Sequence, residues 1–540
     1  MQIFDYKELT DEELCGQTLC LDITSIGSEE EIKRRIRENK PGGIYVHNMS
    51  PEKVKEYAAY ANSICKYPVL VTADVENGPG AVYFEQESLP HPMAWGACDD
   101  EALIERAGEL TAQIMRKRGV NFTLAPIADI NLNFNNPVIN IRSISDSPKQ
   151  VAKMAAAYMR GLQKNGMLMA TAKHFPGDGV DDRNQHFCAT YNSLSKEEWD
   201  ATFGYVYKKL IDGGIASVMA AHIGLDAYEE EPYDSCFGAY PSVLSKSLLT
   251  GLLKEKLGFD GCVISDAMSM IGAVSLKPID ELAARFICAG GDMVLFPEKR
   301  DLQNLMDALK SGFLSRERLL DAVRRIIELK KRARLFEEES EVMKDIEDNP
   351  EEKIREISLQ IAEKSVKIVR DYQKILPLKL EKGAKILLIN LYKDKFKELD
   401  DANVQLLTME EEFRKRGYEV DVYHRITHRQ LYEIMNDYAA VFVNSKISST
   451  DYYGAGLRIG WWDGIMTFWR GYAMQHPRLI YVSYGDPYKL YEMPFLKTYI
   501  NAFSNTESSQ KAVVKLVLGE IEEKAKNPVR LEGFFEREVE

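Results

Sequence analysis

Between residues 18 and 296, short apolar runs rich in β-branched residues alternate with longer stretches whose apolar positions recur at helical spacing. The runs are TLCLDIT (18–24), GGIYV (42–46), PVLVTAD (68–74), VNFTLAP (120–126), MLMATAKHF (167–175), IASVMAAHI (215–223), CVISDA (262–267) and GDMVLF (291–296). Strand and helix signals in alternation predict parallel βαβ units, because parallel neighbours need a crossover long enough to hold a helix. Eight such units predict a (β/α)8 barrel, a fold of about 250 residues or more. Between the third and fourth runs, DDEALIERAGELTAQIMRKRG (99–119) carries apolar residues at helical spacing and ends on Gly119, a good helix stop. It reads as an outer barrel helix.

The pattern changes near residue 336. The stretch EEESEVMKDIEDNPEEKIREIS (337–358) has few large apolar residues and is dense in acid, which predicts a solvated connection or a surface helix. New strand-like runs follow: KILLINL (385–391), YEVDVYH (418–424), AAVFVNS (439–445) and RLIYVSYG (478–485). The expected division is therefore a catalytic barrel over 1–335, an acidic linker over 336–365 and a smaller α/β sandwich domain over 366–540. The fold class is α/β, with no tandem repeat and no low-complexity segment.

A formal charge of -14 and a pI near 5.3 disfavour nucleic acid and anionic membrane surfaces as partners, since an acidic body repels both. A neutral substrate fits better, and a homo-oligomer is compatible with the composition. The first twenty residues carry interspersed acids and lack the basic start and apolar run of a secretory signal. No stretch approaches the roughly 20 apolar residues of a membrane span, so a cytoplasmic location is expected. The eight cysteines form no CxxC pair and sit in apolar surroundings, as buried free thiols do. No Cys or His spacing matches a metal site and no Gly-rich phosphate loop follows a strand, so neither metal nor cofactor is expected.

Reactive groups of a barrel lie in the loops at the carboxyl ends of its strands. There the third strand ends on Asp74, and the loop after the fourth holds Asp129 and Arg142. The fifth runs into Lys173 and His174, then into a loop with Asn184 and His186. The sixth ends on His222 and the seventh on Asp266. Each alone has a packing explanation: Asp74 or Asp266 as a helix cap, Arg142 in a surface pair, His222 as a core histidine. Five strand ends with ionisable groups at once are hard to explain by packing.

KHFPGDG followed by His186, together with CVISDAMSM, ADVEN and NPVINIRS, resembles glycoside hydrolase family 3, in its β-N-acetylglucosaminidase-like branch. The likeness extends over most of the chain, through HPMAWGACDDEAL, NFTLAPIADIN and ARFICAGGDMVL to YVSYGDPYKL and AFSNTESSQKAVVKLVLGEI. It implies Asp266 as nucleophile of a retaining exo-β-glycosidase acting on a carbohydrate or muropeptide-like substrate, N-acetylglucosamine before glucose. It places Asp74, Arg142, Lys173 and His174, with Asp129 and His222, around the sugar. A carboxylate is what a glycosyl-enzyme and its oxocarbenium-like transition state require.

The branch's proton donor is the histidine of an Asp-x-His dyad, which here reads Asn184-Gln185-His186. The histidine is kept and its acid is not. An Asp-to-Asn change in the comparable protease dyad costs about four orders of magnitude in rate. Asn184 can orient the ring but leaves its tautomer undetermined, and Asp181 or Asp182 are candidate substitutes. Three readings follow: a hydrolase, a glycoside phosphorylase that uses phosphate where a hydrolase uses water, and a catalytically impaired glycan-binding homologue. Asn77, where the family usually has Gly, adds to the last. Trp461, Trp462 and Trp469 in GLRIGWWDGIMTFWRGYAM suit sugar rings, although packing is the commoner use of such a helix.

Overall fold

The structure is a computed structural model that describes residues 5–230, 240–391, 407–424, 426–447 and 464–540. Ten strands lie in its amino-terminal part: β1 (Leu19–Asp22), β2 (Gly43–Tyr45), β3 (Leu70–Ala73), β4 (Phe122–Thr123), β5 (Thr171–Phe175), β6 (Thr190–Tyr191), β7 (Ser217–Ala220), β8 (Ile223–Gly224), β9 (Cys262–Ser265) and β10 (Val294–Leu295). Five pair in the order β10-β1-β2-β3-β4 and three in the order β5-β7-β9, all parallel. Parallel bridges Phe122–Met169 and Ile127–Lys173 join β4 to β5, and Ile264–Met293 joins β9 to β10. The ring thus closes as the eight-stranded barrel that the apolar runs predict, each run supplying one strand. The two-residue strands β6 and β8 pair outside the ring, in loops the apolar pattern does not mark.

Closure puts Cys20, Leu70, Phe122, Met169, Cys262, Ile264 and Met293 into one interior cluster. Ile326, Leu329 and Ala333, at the end of the helix Arg316–Arg332, seal that cluster from one side. The expected helix over 99–119 spans Glu101–Lys117, capped by Asp100 through Leu103 N–H (3.1 Å), and Gly119 takes a φ of +89° just beyond it.

The acidic stretch is helical at Glu339–Met343 and Pro350–Ser365. The second helix is not fully solvated: Ile354, Ile361 and Ala362 are buried, and it packs on both Glu101–Lys117 and Glu507–Val517. The carboxyl-terminal sheet holds β11 (Lys367–Asp371), β12 (Lys385–Leu391), β13 (Glu419–Tyr423), β14 (Ala440–Ser445), β15 (Leu479–Ser483) and β16 (Thr498–Asn501), in the order β11-β16-β15-β14-β12-β13. Among the described residues, only β11 runs antiparallel in this sheet, as an edge strand. β11 and β16 are the strands the apolar runs do not announce; every residue of β11 is half-buried, so it carries no apolar run.

The second unit packs against the barrel at the carboxyl ends of β3 and β4. Met93, Ala94, Ala97 and Ile141 share a core with Leu387, Ile389, Leu391, Val529 and Leu531. Asn131 Nδ2 donates to Tyr488 Oη (2.5 Å), and Ser147 Oγ donates to the Glu540 carbonyl (2.6 Å). Trp461 and Trp462 lie outside the described residues, as does Cys236, while Trp469 is exposed.

Candidate active site

At the carboxyl ends of the barrel strands lies a cavity of about 470 Å³, lined among others by Asp74, Arg142, Lys173, His174, Asn184, His186 and Asp266. Seven of the nine residues expected from the sequence therefore meet in one place. The other two, Asp129 and His222, are fully buried behind the wall.

Asp266 follows β9 directly. Its N–H donates to the Ala220 carbonyl (2.7 Å), extending the ladder to β7, and its Oδ1 accepts from Ala267 N–H (2.8 Å). It caps no helix, since the next one begins at Ile271 behind Met270. Burial opposes ionisation of Asp266, but His222, His174, the Ala267 N–H and His186 around it hold its carboxyl below the usual carboxylate value. A half-buried carboxylate kept charged in a cavity is equipped to attack an electrophilic carbon.

One wall is a chain of charge pairs. Lys173 Nζ lies 2.7 Å from both Asp74 Oδ1 and Glu76 Oε1, Arg142 grips Glu76 through Nε (2.9 Å) and a terminal nitrogen (2.7 Å), and Tyr45 Oη donates to Asp74 Oδ2 (3.0 Å). Burial works against the charge on Glu76, yet Arg142 and Lys173 hold it well below the usual carboxylate value; burial likewise opposes the charge on Lys173, which Asp74 and Glu76 more than restore. Arg142 thus spends its fork on Glu76, where sugar hydroxyls were expected to take it. Glu76 is the residue that sequence reasoning passed over. Its signal was available, two positions after Asp74 on the same strand-end loop.

Asp129 is a support. Its carboxylate accepts from the His174 backbone N–H (3.1 Å) and lies 2.6 Å from His174 Nδ1, which fixes that ring against the cavity. His222 supports in another way: its Nε2 donates to the Ala267 carbonyl (2.9 Å), so Nε2 carries the proton, and burial pushes its pKa down.

The Asn184–His186 pair settles what the sequence left open. Asn184 Oδ1 accepts the His186 backbone N–H (2.9 Å), which fixes the amide orientation, and the same oxygen faces His186 Nδ1 at 2.7 Å. Nδ1 therefore carries the hydrogen, and Nε2 is the basic nitrogen. Burial, with Arg142, His174 and His222 adding to it against the attraction of Asp266, lowers the His186 pKa to about 4. Neither aspartate replaces the missing acid. Asp181 is gripped by Arg183 (2.9 Å to Nε) and by Tyr191 N–H (3.0 Å), and Asp182 is exposed. Asn77 disturbs nothing: it adopts no left-handed φ, its amide donates to the Leu89 carbonyl (3.1 Å), and the next residue, Gly78, takes the φ of +89°.

Comparison with known proteins gives the family. Residues 13–329 match the glycosyl hydrolase family 3 N terminal domain. The chain is 29% identical over 540 residues to a beta-N-acetylglucosaminidase/beta-glucosidase of Cellulomonas fimi, covering 96% of this chain and 92% of that one. A beta-hexosaminidase of Methylobacillus flagellatus is 28% identical over 313 residues, 55% of this chain and 86% of its own. Among solved structures, the beta-glucoside phosphorylase BglX bound to 2FGlc superposes with a TM-score of 0.86 at 29% identity, over 97% of this chain and 95% of that one. A glycoside hydrolase family 3 beta-N-acetylglucosaminidase from Paenibacillus sp. str. FPU-7 gives 0.82 at 25% identity, over 97% and 99%. With more than half its length matched by the family's own domain, the chain belongs to glycoside hydrolase family 3 and is a β-hexosaminidase-like glycoside hydrolase.

Proposed function

We propose that the chain is a retaining exo-β-glycosidase that removes a terminal β-linked sugar, N-acetylglucosamine before glucose, through a glycosyl ester on Asp266. The carrying observation is the half-buried Asp266, its carboxyl held below the usual carboxylate value, in the same cavity as His186 and the Asp74–Lys173–Glu76–Arg142 chain. A carboxylate oxygen of Asp266 attacks the anomeric carbon, and the bond to the aglycone oxygen breaks as that oxygen takes a proton from the Nε2 of charged His186. Water then attacks the same carbon and gives its proton to Nε2, and the ester opens to release the sugar and the carboxylate. Asp74 and His174, with the Lys173 ammonium, offer acceptors and donors that fit ring hydroxyls. The sugar preference leans on the relatives, which are named for N-acetylglucosaminides and glucosides. Incubation with a 2-deoxy-2-fluoro glycoside and peptide mapping should place the label on Asp266; a label elsewhere, or turnover surviving in Asp266→Asn, overturns the assignment.

A second reading, phosphorolysis, is favoured by one specific observation: the partner of His186 is the neutral Asn184, so residue 184 adds no carboxylate to repel an anionic acceptor. The likeness to a beta-glucoside phosphorylase supports it. Turnover in phosphate buffer, with products resolved as free sugar or sugar 1-phosphate, decides between the two acceptors.

A further inference from the structure

Arg142 reaches the cavity from the end of a short helical turn, Asn140–Arg142, whose first two residues are buried behind the wall. Asn140 takes a φ of +34°, in the region that residues with a side chain avoid and glycine enters freely. Its amide is fully buried, and neither Nδ2 nor Oδ1 has a hydrogen-bond partner. Such an amide opposes folding, because its bonds to water are given up and not replaced. Both features mark a conformation that these three residues would not choose by themselves and that their surroundings impose.

The barrel fixes the chain on either side of the turn. Before it, Asn136 Oδ1 accepts the N–H groups of Val138 (2.9 Å) and Ile139 (2.7 Å); after it, Ser143 Oγ donates to the Asp129 carbonyl (2.8 Å). Two side chains anchor the residues between. Arg142 does so at the cavity, through its fork on Glu76. Ile141 does so from behind: it is 1% exposed and belongs to the core that Met93, Ala94 and Ala97 of the barrel form with Leu387, Val529 and Leu531 of the second unit. The chain that follows is tied to the same unit, since Ser145 Oγ donates to the Pro528 carbonyl and Asp146 accepts from the Arg530 N–H (3.0 Å).

We propose that Ile141 is a positioning residue: seated in the core between the two units, it forces the Asn140–Arg142 turn into the conformation that aims Arg142 at Glu76. The wall of the cavity is thereby set in part by the second unit. This rests on the reading of that wall as the place where the sugar binds.

The experiment measures kcat and KM on a nitrophenyl β-glycoside that the wild type turns over, well below the melting transition of each protein, for Ile141→Ala, Asn140→Gly, the double variant and Arg142→Ala. Ile141→Ala should lose up to about 100-fold in kcat/KM, the scale of a misplacement of about 1 Å. Most of the loss should lie in KM, because the wall holds the bound sugar before reaction as well as during it. Asn140→Gly should keep the wild-type KM, since glycine takes the positive φ freely and brings no amide to satisfy. In the double variant the turn has no reason to relax, so glycine should return KM close to the wild-type value. A side chain that only fills the core would lower the melting temperature without moving KM, and glycine would reverse nothing. An unmoved KM in Ile141→Ala, or a loss that Asn140→Gly does not reverse, overturns the proposal; Ile141→Val carries the same test if Ile141→Ala does not fold. A wild-type KM in Arg142→Ala removes the sugar-wall reading itself and the proposal with it, an outcome distinct from failure of the Ile141 link.

Discussion

Restoring the acid of the dyad, Asn184→Asp, tests the mechanism most directly. With its pKa lowered to about 4, His186 is charged in roughly one molecule in a thousand at neutral pH. An opposite charge within hydrogen-bonding reach raises such a pKa by about 1–3 units, at about 1.36 kcal/mol per unit. At the 2.7 Å separation of Nδ1 from residue 184, the charged fraction should rise about 10 to 1,000-fold. Only substrates whose leaving oxygen needs that proton gain from it. The assay is kcat/KM across glycosides graded by leaving-group acidity. Alkyl glycosides should accelerate by up to that factor, nitrophenyl glycosides should hardly change, and the basic limb of the pH profile, where activity falls as His186 loses its proton, should move upward. Alkyl glycosides that gain nothing and an unmoved basic limb, in a variant still labelled at Asp266, would refute the role given to His186.

Other outcomes follow from the same geometry. Glu76→Ala takes the gripped carboxylate from the fork of Arg142 and leaves Lys173 with Asp74 alone, and should cost about 3 kcal/mol of stability, read by denaturant titration. Gly179→Ala places a Cβ 2.0 Å from the Ile130 carbonyl at a φ of +109°, and should abolish activity while spectra of the second unit persist. Lys330, wholly buried and hydrogen-bonded to Gln17 (2.7 Å), has its pKa pushed down to about 7 by burial. The unfolded chain binds that proton more tightly, so wild-type stability rises with pH from about 7 to the ordinary lysine value. Lys330→Met should therefore be more stable in mild acid by about 2–4 kcal/mol, roughly 5 from the pKa difference less about 1–3 for the orphaned Gln17. Paired melts should show the gap closing as pH climbs; a constant gap refutes the linkage.

The barrel was legible because each of its strands is buried on both faces and so reads as a continuous apolar run, from TLCLDIT to GDMVLF. Edge strand β11 was not: its residues are all half-buried and it joins the sheet by antiparallel pairing with β16, a long-range event without local signature. Candidate site residues were legible where a strand end announced them, as at Asp74, His174 and Asp266. Partnership was not. That Arg142 would close on Glu76 and that Asp129 would hold His174 from behind depend on contacts between distant loops, and that Asn184 would fix its own orientation through the His186 N–H depends on the local shape of its loop.

The choice of acceptor follows from the charge the cavity holds at each stage. Its wall carries three carboxylates, Asp74, Glu76 and Asp266, against two fixed cations, Arg142 and Lys173, with His186 neutral near pH 7. The free enzyme is thus anionic at this end and disfavours phosphate. In the proposed mechanism, ester formation on Asp266 would consume one carboxylate, so the glycosyl-enzyme would present a balanced wall and phosphate would meet least repulsion when it is useful. An aspartate at 184 would restore the negative charge beside the incoming acceptor. With residue 184 on the Nδ1 side of the ring and the acceptor at Nε2, the like charges would lie about 7 Å apart and repel by about 2 kcal/mol at an effective dielectric of 20. In the proposed mechanism phosphate, already anionic, needs no base, whereas water needs the His186 Nε2. Asn184→Asp should therefore shift partitioning of the trapped intermediate from phosphate toward water by about 50-fold at most, measured as the ratio of sugar 1-phosphate to free sugar at fixed phosphate. A ratio unchanged by the substitution would mean that residue 184 does not govern the acceptor.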